Sequence, residues 1–181
     1  THAIGHGHGP AQWFGALLMA WRGEPGALAR LERGCDINGS LGIYTGSTAV
    51  RAYGAMIARM TGDPVAALAQ TDAGLRLADR IGERFALPQL HVARAHALAA
   101  LGHPLAERIA AFDAAVVAAR QTGNRWGELL AREARMDDAE LAQVRAAEDR
   151  TEIAALLGRI RGADDTPLVL RARAIVQRSA S

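Results

Sequence analysis

TGDPVAALAQTDAGLRLADRIGERF, Thr61 to Phe85, is the stretch whose reading decides the fold. It opens on Gly62 and Pro64, runs through an Ala/Leu-rich segment, and closes on Gly82 followed by Glu-Arg-Phe. The same order precedes it in RGEPGALARLERGCDINGSLGIY, Arg22 to Tyr44, and follows it in LGHPLAERIAAFDAAVVAARQTGNRW, Leu101 to Trp126. The first glycines, Gly23, Gly62 and Gly102, stand 39 and 40 residues apart, and Pro25, Pro64 and Pro104 follow each two places later. The second glycines, Gly42, Gly82 and Gly123, stand 40 and 41 apart, with Tyr44, Phe85 and Trp126 shortly after. A fixed period carried by several landmarks is the mark of a repeat architecture.

One repeat reads as a helical hairpin. Glycine ends a helix because it tolerates the left-handed conformation just past the last turn. Proline suits the first turn of the next helix, where its missing N–H costs nothing. Outgoing helices are expected near 11–22, 46–61, 87–101 and 126–136, and returning helices near 25–38, 64–81 and 104–122. A lone pair cannot bury its apolar face, so neighbouring pairs stack. The fold class is therefore all-α, an α-solenoid of stacked antiparallel hairpins. Residues 1–10 read as a frayed segment and 11–178 as one repeat domain whose pattern decays from about residue 127. There, Asp137 and Glu140 have capping-box spacing, EDRTEIAALLGRIRG reads as a helix ending at Gly162, and Thr166 and Pro167 open a last helix. The chain opens without Met inside such a pattern, so a piece of a larger protein is expected.

Composition narrows the function. Half of the 181 residues are hydrophobic but only 4% are aromatic, so the core is built from Ala, Leu, Val and Ile, good helix formers among them. Every one of the 21 basic residues is Arg, which excludes a Schiff-base or phosphate-loop lysine. The arginines are scattered among 19 acids rather than gathered on a stripe, which argues against a nucleic-acid footprint. No apolar run approaches the ~20 residues that span a bilayer. Cys35 is the single cysteine, so no intrachain disulfide forms and a cytoplasmic setting is expected.

Cys35 aligns with Gly74 and Ala114, twelve places after the first glycine of each repeat. All three are small, which marks a close helix contact that Cys35 fills. Five places after the glycines stand Leu28, Ala67 and Glu107, a less regular set.

The Gly-x-Pro turn, Ala67-Leu68 and RIGERF, Arg80 to Phe85, resemble tetratricopeptide-type repeats. More narrowly they are similar to the repeats of about 40 residues at the C-terminal end of large bacterial signal-transduction ATPases, transcriptional regulators and adenylate/guanylate cyclases. GALLMAWRGEPGALARLERG and DDTPLVLRARAIV fit that pattern too. The resemblance implies a non-catalytic interaction or scaffolding module. It would present a concave face to a protein, a peptide or other domains of its parent chain, and it would need no cofactor. A small-molecule inducer sensor, with a pocket between helices, is the alternative. In such pairs the groove-facing positions lie at set distances before the turn glycine, which here gives Trp13 and Leu17, Met56 and Arg59, and Gln89 and His96.

Other motifs carry less. His2, His6 and His8 cluster in a Gly-rich end that lacks the preorganised ligands and second shell of a zinc site. His91 and His96 are five apart, off the i, i+4 spacing of a ligand pair, and read as one packed and one solvent-facing histidine. NGSLG, Asn38 to Gly42, lacks both the first glycine and the preceding strand of a nucleophile elbow. Asp137/Asp138 and Asp164/Asp165 sit at expected helix starts, where carboxylates satisfy free N–H groups.

Overall fold

The computed structural model describes residues 8–177, and among them there are helices and turns but no strand. The helices are α1 (His8–Trp21), α2 (Ala27–Ser40), α3 (Ser47–Met60), α4 (Pro64–Ile81), α5 (Leu87–Ala100), α6 (Leu105–Gln121), α7 (Arg125–Asp137), α8 (Ala139–Leu157) and α9 (Pro167–Gln177). No helix among the described residues is long and apolar enough to cross a membrane.

The turn chemistry explains the boundaries. Gly23, Gly62 and Gly102 sit between α1 and α2, α3 and α4, and α5 and α6, at φ of 70°, 74° and 72°. The residue after each glycine donates its N–H five residues back: Glu24 to the Met19 carbonyl, Asp63 to Ala58, and His103 to Leu98. This is the Schellman pattern, which satisfies carbonyls left over at a helix end. Gly42 and Gly123 carry the same bond, through Ile43 to Asn38 and Asn124 to Ala119. Gly82 makes only its own N–H bond to Ala78, which leaves Glu83 to turn elsewhere.

Four boundary expectations are corrected. Helix α1 begins at His8, so residues 8–10 are helical rather than frayed, while His2 and His6 lie outside the described residues. Of the three prolines in the Gly-x-Pro turns only Pro64 opens its helix; Pro104 is the residue before α6, and Pro25 stands in the turn ahead of Gly26. Asp138, not Asp137, caps α8, accepting from the Glu140 and Leu141 N–H groups, because Asp137 is still the last residue of α7. Helix α8 is one continuous rod that ends before Gly158 rather than at Gly162.

Each helix packs on the next in sequence. The odd-numbered helices also touch one another in succession, α1 to α3, α3 to α5, α5 to α7 and α7 to α9. The backbones of α2 and α4 stay apart, as do those of α4 and α6, and Gln70 of α4 reaches Glu32 of α2 only through its side chain. The odd helices thus form the tighter side. Small residues permit this approach: Ala58, Ala67 and Ala97 form one buried cluster across α3, α4 and α5. Larger side chains fill the flanks, with Leu31, Val50 and Ile57 on one side and Leu98, Phe112 and Leu141 on the other. Helices α7, α8 and α9 close over Leu129, Ile153, Leu156 and Val169.

Cys35 is half-buried and packs against the Leu31–Val50–Ile57 cluster. Burial pushes its thiol up, which makes it a poor nucleophile at neutral pH. At the aligned Gly74 a Cβ would fall 2.5 Å from a Leu90 methyl and 2.9 Å from the Arg51 Cβ, so that contact admits no side chain.

Candidate functional site: a groove along the odd helices

The tighter side carries a groove of about 660 Å³. Its floor is short-chained: Ala52, Ala55, Ala93, Ala97 and Ala100 from α3 and α5, with Val92 among them. Alanines at three- and four-residue spacing keep the floor low, so the longer side chains on the rims define a trough. Tyr53, Met56 and Arg59 rise from α3, and Leu130, Glu133, Ala134 and Asp137 from α7. Arg171 of α9 closes the far wall.

Four expected residues, Met56, Arg59, Gln89 and His96, line this groove together. Trp13 and Leu17 do not; both pack against the α1–α2–α3 core instead. The reason lies in α2. Gly34 has no side chain, and the Trp13 indole takes the space, with ring atoms 2.6 and 2.7 Å from where a Cβ would stand. Reading the sequence missed the entire α7 wall, although Leu130, Glu133, Ala134 and Asp137 already show helical spacing.

The polar groups divide into those the fold uses and those it leaves unused. Asp63 caps α4, accepting the Ala66 N–H at 2.8 Å. Glu133, buried, accepts from Arg171. Arg59, exposed in the last turn of α3, has no hydrogen-bond or ion-pair partner among the described residues, and neither does Asp137 at the end of α7. The Gln89 Oε1 is buried without a donor. His96 lies between the two walls. Its ring stands edge-on to Phe112, centroids 5.7 Å apart and planes at 89°. Burial first, then the Arg59 charge, hold its imidazole below the ordinary range, against a smaller opposing pull from Asp137 and Asp138. At neutral pH His96 is therefore uncharged; of the two arginines that line the groove, Arg171 is paired with Glu133 and Arg59 has no ion-pair partner among the described residues. His91, expected as the other half of a packed-and-exposed pair, is half-buried like His96.

A second polar cluster, buried, lies behind α7. Arg132 is 1% exposed and Asp149 0%. Arg132 donates to Asp149 at 2.8 Å and to Glu128 at 3.1 Å. Arg135 donates to both Asp149 oxygens, at 2.7 Å from Nε, and to Asp113 at 2.5 Å. Burial opposes the Arg135 charge, but the Asp149 hydrogen bonds and the Asp149, Asp113 and Glu148 carboxylates outweigh it and hold the guanidinium above its ordinary range. Every charged group here is answered by another. The cluster is a packing device that locks α6, α7 and α8 together, with no free valence for a ligand. A signal existed in the sequence: Glu128, Arg132 and Arg135 fall at core spacing on α7, and Asp149 falls in line with Ile153 and Leu156 on α8.

Among the described residues no group of three or more His, Cys, Asp or Glu side chains is arranged to hold a metal ion. Compared with family models, curated proteins and solved structures, the chain matches none.

Proposed function

We propose that this chain is an α-solenoid of tetratricopeptide-like hairpins, a non-catalytic docking module that takes an extended peptide segment of a protein partner in the groove of α3, α5 and α7. The observation that carries the reading is the division of polar groups around the groove. Asp63, Glu133 and Arg171 are used by the fold, while Arg59, Asp137 and the Gln89 carbonyl are not. Buried polar atoms are normally satisfied, so an orphan acceptor in a trough wall suits a ligand that brings N–H donors, as a peptide backbone does. The Ala floor accepts apolar side chains and Met56 adapts to their shape. The two charges without an ion-pair partner set an orientation: a partner carboxylate beside α3, where Arg59 can take it bidentately, and a basic or donor group beside α7, facing Asp137, whose charge is also felt at Arg171.

The inducer-pocket reading needs an enclosed cavity. What supports the peptide reading instead is that the rims are open, with Tyr53, Met56, Arg59 and Asp137 all exposed. A role in signalling or transcriptional control rests on the family resemblance alone.

Selection from a random peptide display library, followed by fluorescence anisotropy on the selected peptides, tests this. The reading expects sequences with an acidic residue flanked by apolar ones. Arg59→Ala is expected to weaken them by about 1–3 kcal/mol, the worth of a charged hydrogen bond, and to leave thermal melting unchanged, because an exposed unpaired charge contributes little to stability. A collapse of melting with binding intact per folded molecule makes Arg59 structural. Peptides indifferent to both Arg59→Ala and Gln89→Ala place the partner elsewhere.

A further inference from the structure

A second cleft, about 370 Å³, opens between α2, the N-terminal end of α3 and α4 and shares no lining residue with the groove. Its lining holds Arg51, Arg76 and Arg80 and no carboxylate. Arg51 is already answered, donating to Glu32 at 2.8 Å. Arg76 and Arg80 are not: both are exposed, and neither has an ion-pair partner among the described residues. They stand one turn apart on α4, where like charges repel. The nearby acids do not line the cleft: Glu83 is committed to the start of α3, accepting the Gly46 N–H at 2.7 Å and the Thr48 N–H at 3.0 Å, Glu32 is paired with Arg51, and Asp36 is felt at Cys35 from outside the lining. Ser47 also lines the cleft, and its hydroxyl has no partner among the described residues.

The other walls are not suited to a bare ion. Ile43, Ala73 and Leu77 are apolar, and the Tyr44 ring stands under Arg80, its centroid 5.7 Å from the guanidinium carbon. Two unanswered guanidiniums, one hydroxyl, an aromatic ring and an apolar floor form a donor set for one anionic group on an organic body. Two planar forks meet the oxygens of a phosphoryl group better than they meet a single carboxylate. We infer that this cleft binds a small organic phosphate monoester, with Arg76 and Arg80 holding the phosphoryl group, Ser47 donating to it, and the Tyr44–Leu77 surface covering the organic body.

Titration calorimetry on the full chain, with phenyl phosphate, inorganic phosphate and phenol at fixed ionic strength, tests the inference. Phenyl phosphate is expected to bind saturably and about tenfold tighter than inorganic phosphate, and phenol not at all. Arg76→Gln with Arg80→Gln is expected to weaken phenyl phosphate by about tenfold or more, since each lost charged hydrogen bond is worth roughly that factor. Both side chains are exposed, so the variant should melt with the parent; if it does not, Arg80→Lys, which keeps the charge, supplies the comparison. Cys35 lines the same cleft and is a built-in reporter. Saturating phenyl phosphate should slow its reaction with a thiol reagent. No saturable binding, equal affinity for the two phosphates, affinity indifferent to both arginines, or an unchanged Cys35 labelling rate would each overturn the assignment.

Discussion

Two helix contacts in this molecule solve the same problem by opposite means. Where α3, α4 and α5 meet, the chain buries Ala58, Ala67 and Ala97. Where α7 meets α8, it buries Arg132, Arg135 and Asp149. The alanine contact brings backbones close and fixes little beyond distance. The ionic contact fixes partner, register and direction, because each guanidinium must find its own oxygens. A buried pair of this kind contributes little net stability over a well-packed apolar isostere, yet breaking it is costly. The first contact should therefore be sensitive to added volume and the second to lost charge. The groove sits over the first kind, where small residues leave a trough, and the second kind stiffens the wall that bounds it.

The largest expected effect is at Asp149. Asp149→Ala leaves Arg132 and Arg135 buried without their shared carboxylate and should cost about 3–5 kcal/mol in chemical denaturation. Arg132→Met, Arg135→Leu and Asp149→Leu combined should recover most of that loss; if the triple variant is as unstable as the single one, the comparison fails. Next comes added volume. Gly34→Ala puts a methyl against the Trp13 ring and 2.8 Å from the Gly9 carbonyl, and should cost about 1–3 kcal/mol despite the better helix propensity of alanine. A neutral result would mean that the small-residue contact yields more easily than its distances imply.

A smaller effect is expected at Glu83. Burial would raise its carboxyl, but hydrogen bonds from Thr48 and Gly46 outweigh that and hold it below the usual range. A depressed native pKa means stability that is present above the unfolded value of about 4.3 and lost as pH falls through the native one. Glu83→Gln should cost about 1 kcal/mol at neutral pH, the scale of a lost cap, and its melting curve should converge on the parent's in acid. The smallest effect belongs to the histidines. Burial holds His91 and His96 below the ordinary imidazole range. The native state then takes up fewer protons than the unfolded chain, so stability is full above about pH 6.5 and declines as pH falls from there. His96→Gln should flatten that slope in melts between neutral and mildly acid pH; an unchanged slope would assign it to other groups.

The described turns at Gly23, Gly62 and Gly102 were legible because the signal is local. A glycine that must reach positive φ, and a proline that cannot continue a helix, announce a boundary without reference to anything distant. The finer choice of cap was not: Asp138 rather than Asp137 caps α8 because α7 holds its last residue helical. Met56, Arg59, Gln89 and His96 could be placed together because one spacing rule applied to α3 and α5 alike. The same rule applied to α1 missed, since Gly34 opens a socket that takes Trp13 into the core.

The sequence by itself determined the helical class and the turns marked by glycine. These follow from propensity and backbone sterics within a few residues. Only the tertiary structure decided which charges are buried and which are free. Arg135 finds Asp113 22 residues before it and Asp149 14 after it, and Arg171 of α9 reaches 38 residues back to Glu133. Arg59 looks no different along the chain, yet it has no carboxylate partner among the described residues. Pairing at such separations depends on how the helices stack, and the stacking is what makes one arginine part of a buried lock and leaves another exposed and unpaired.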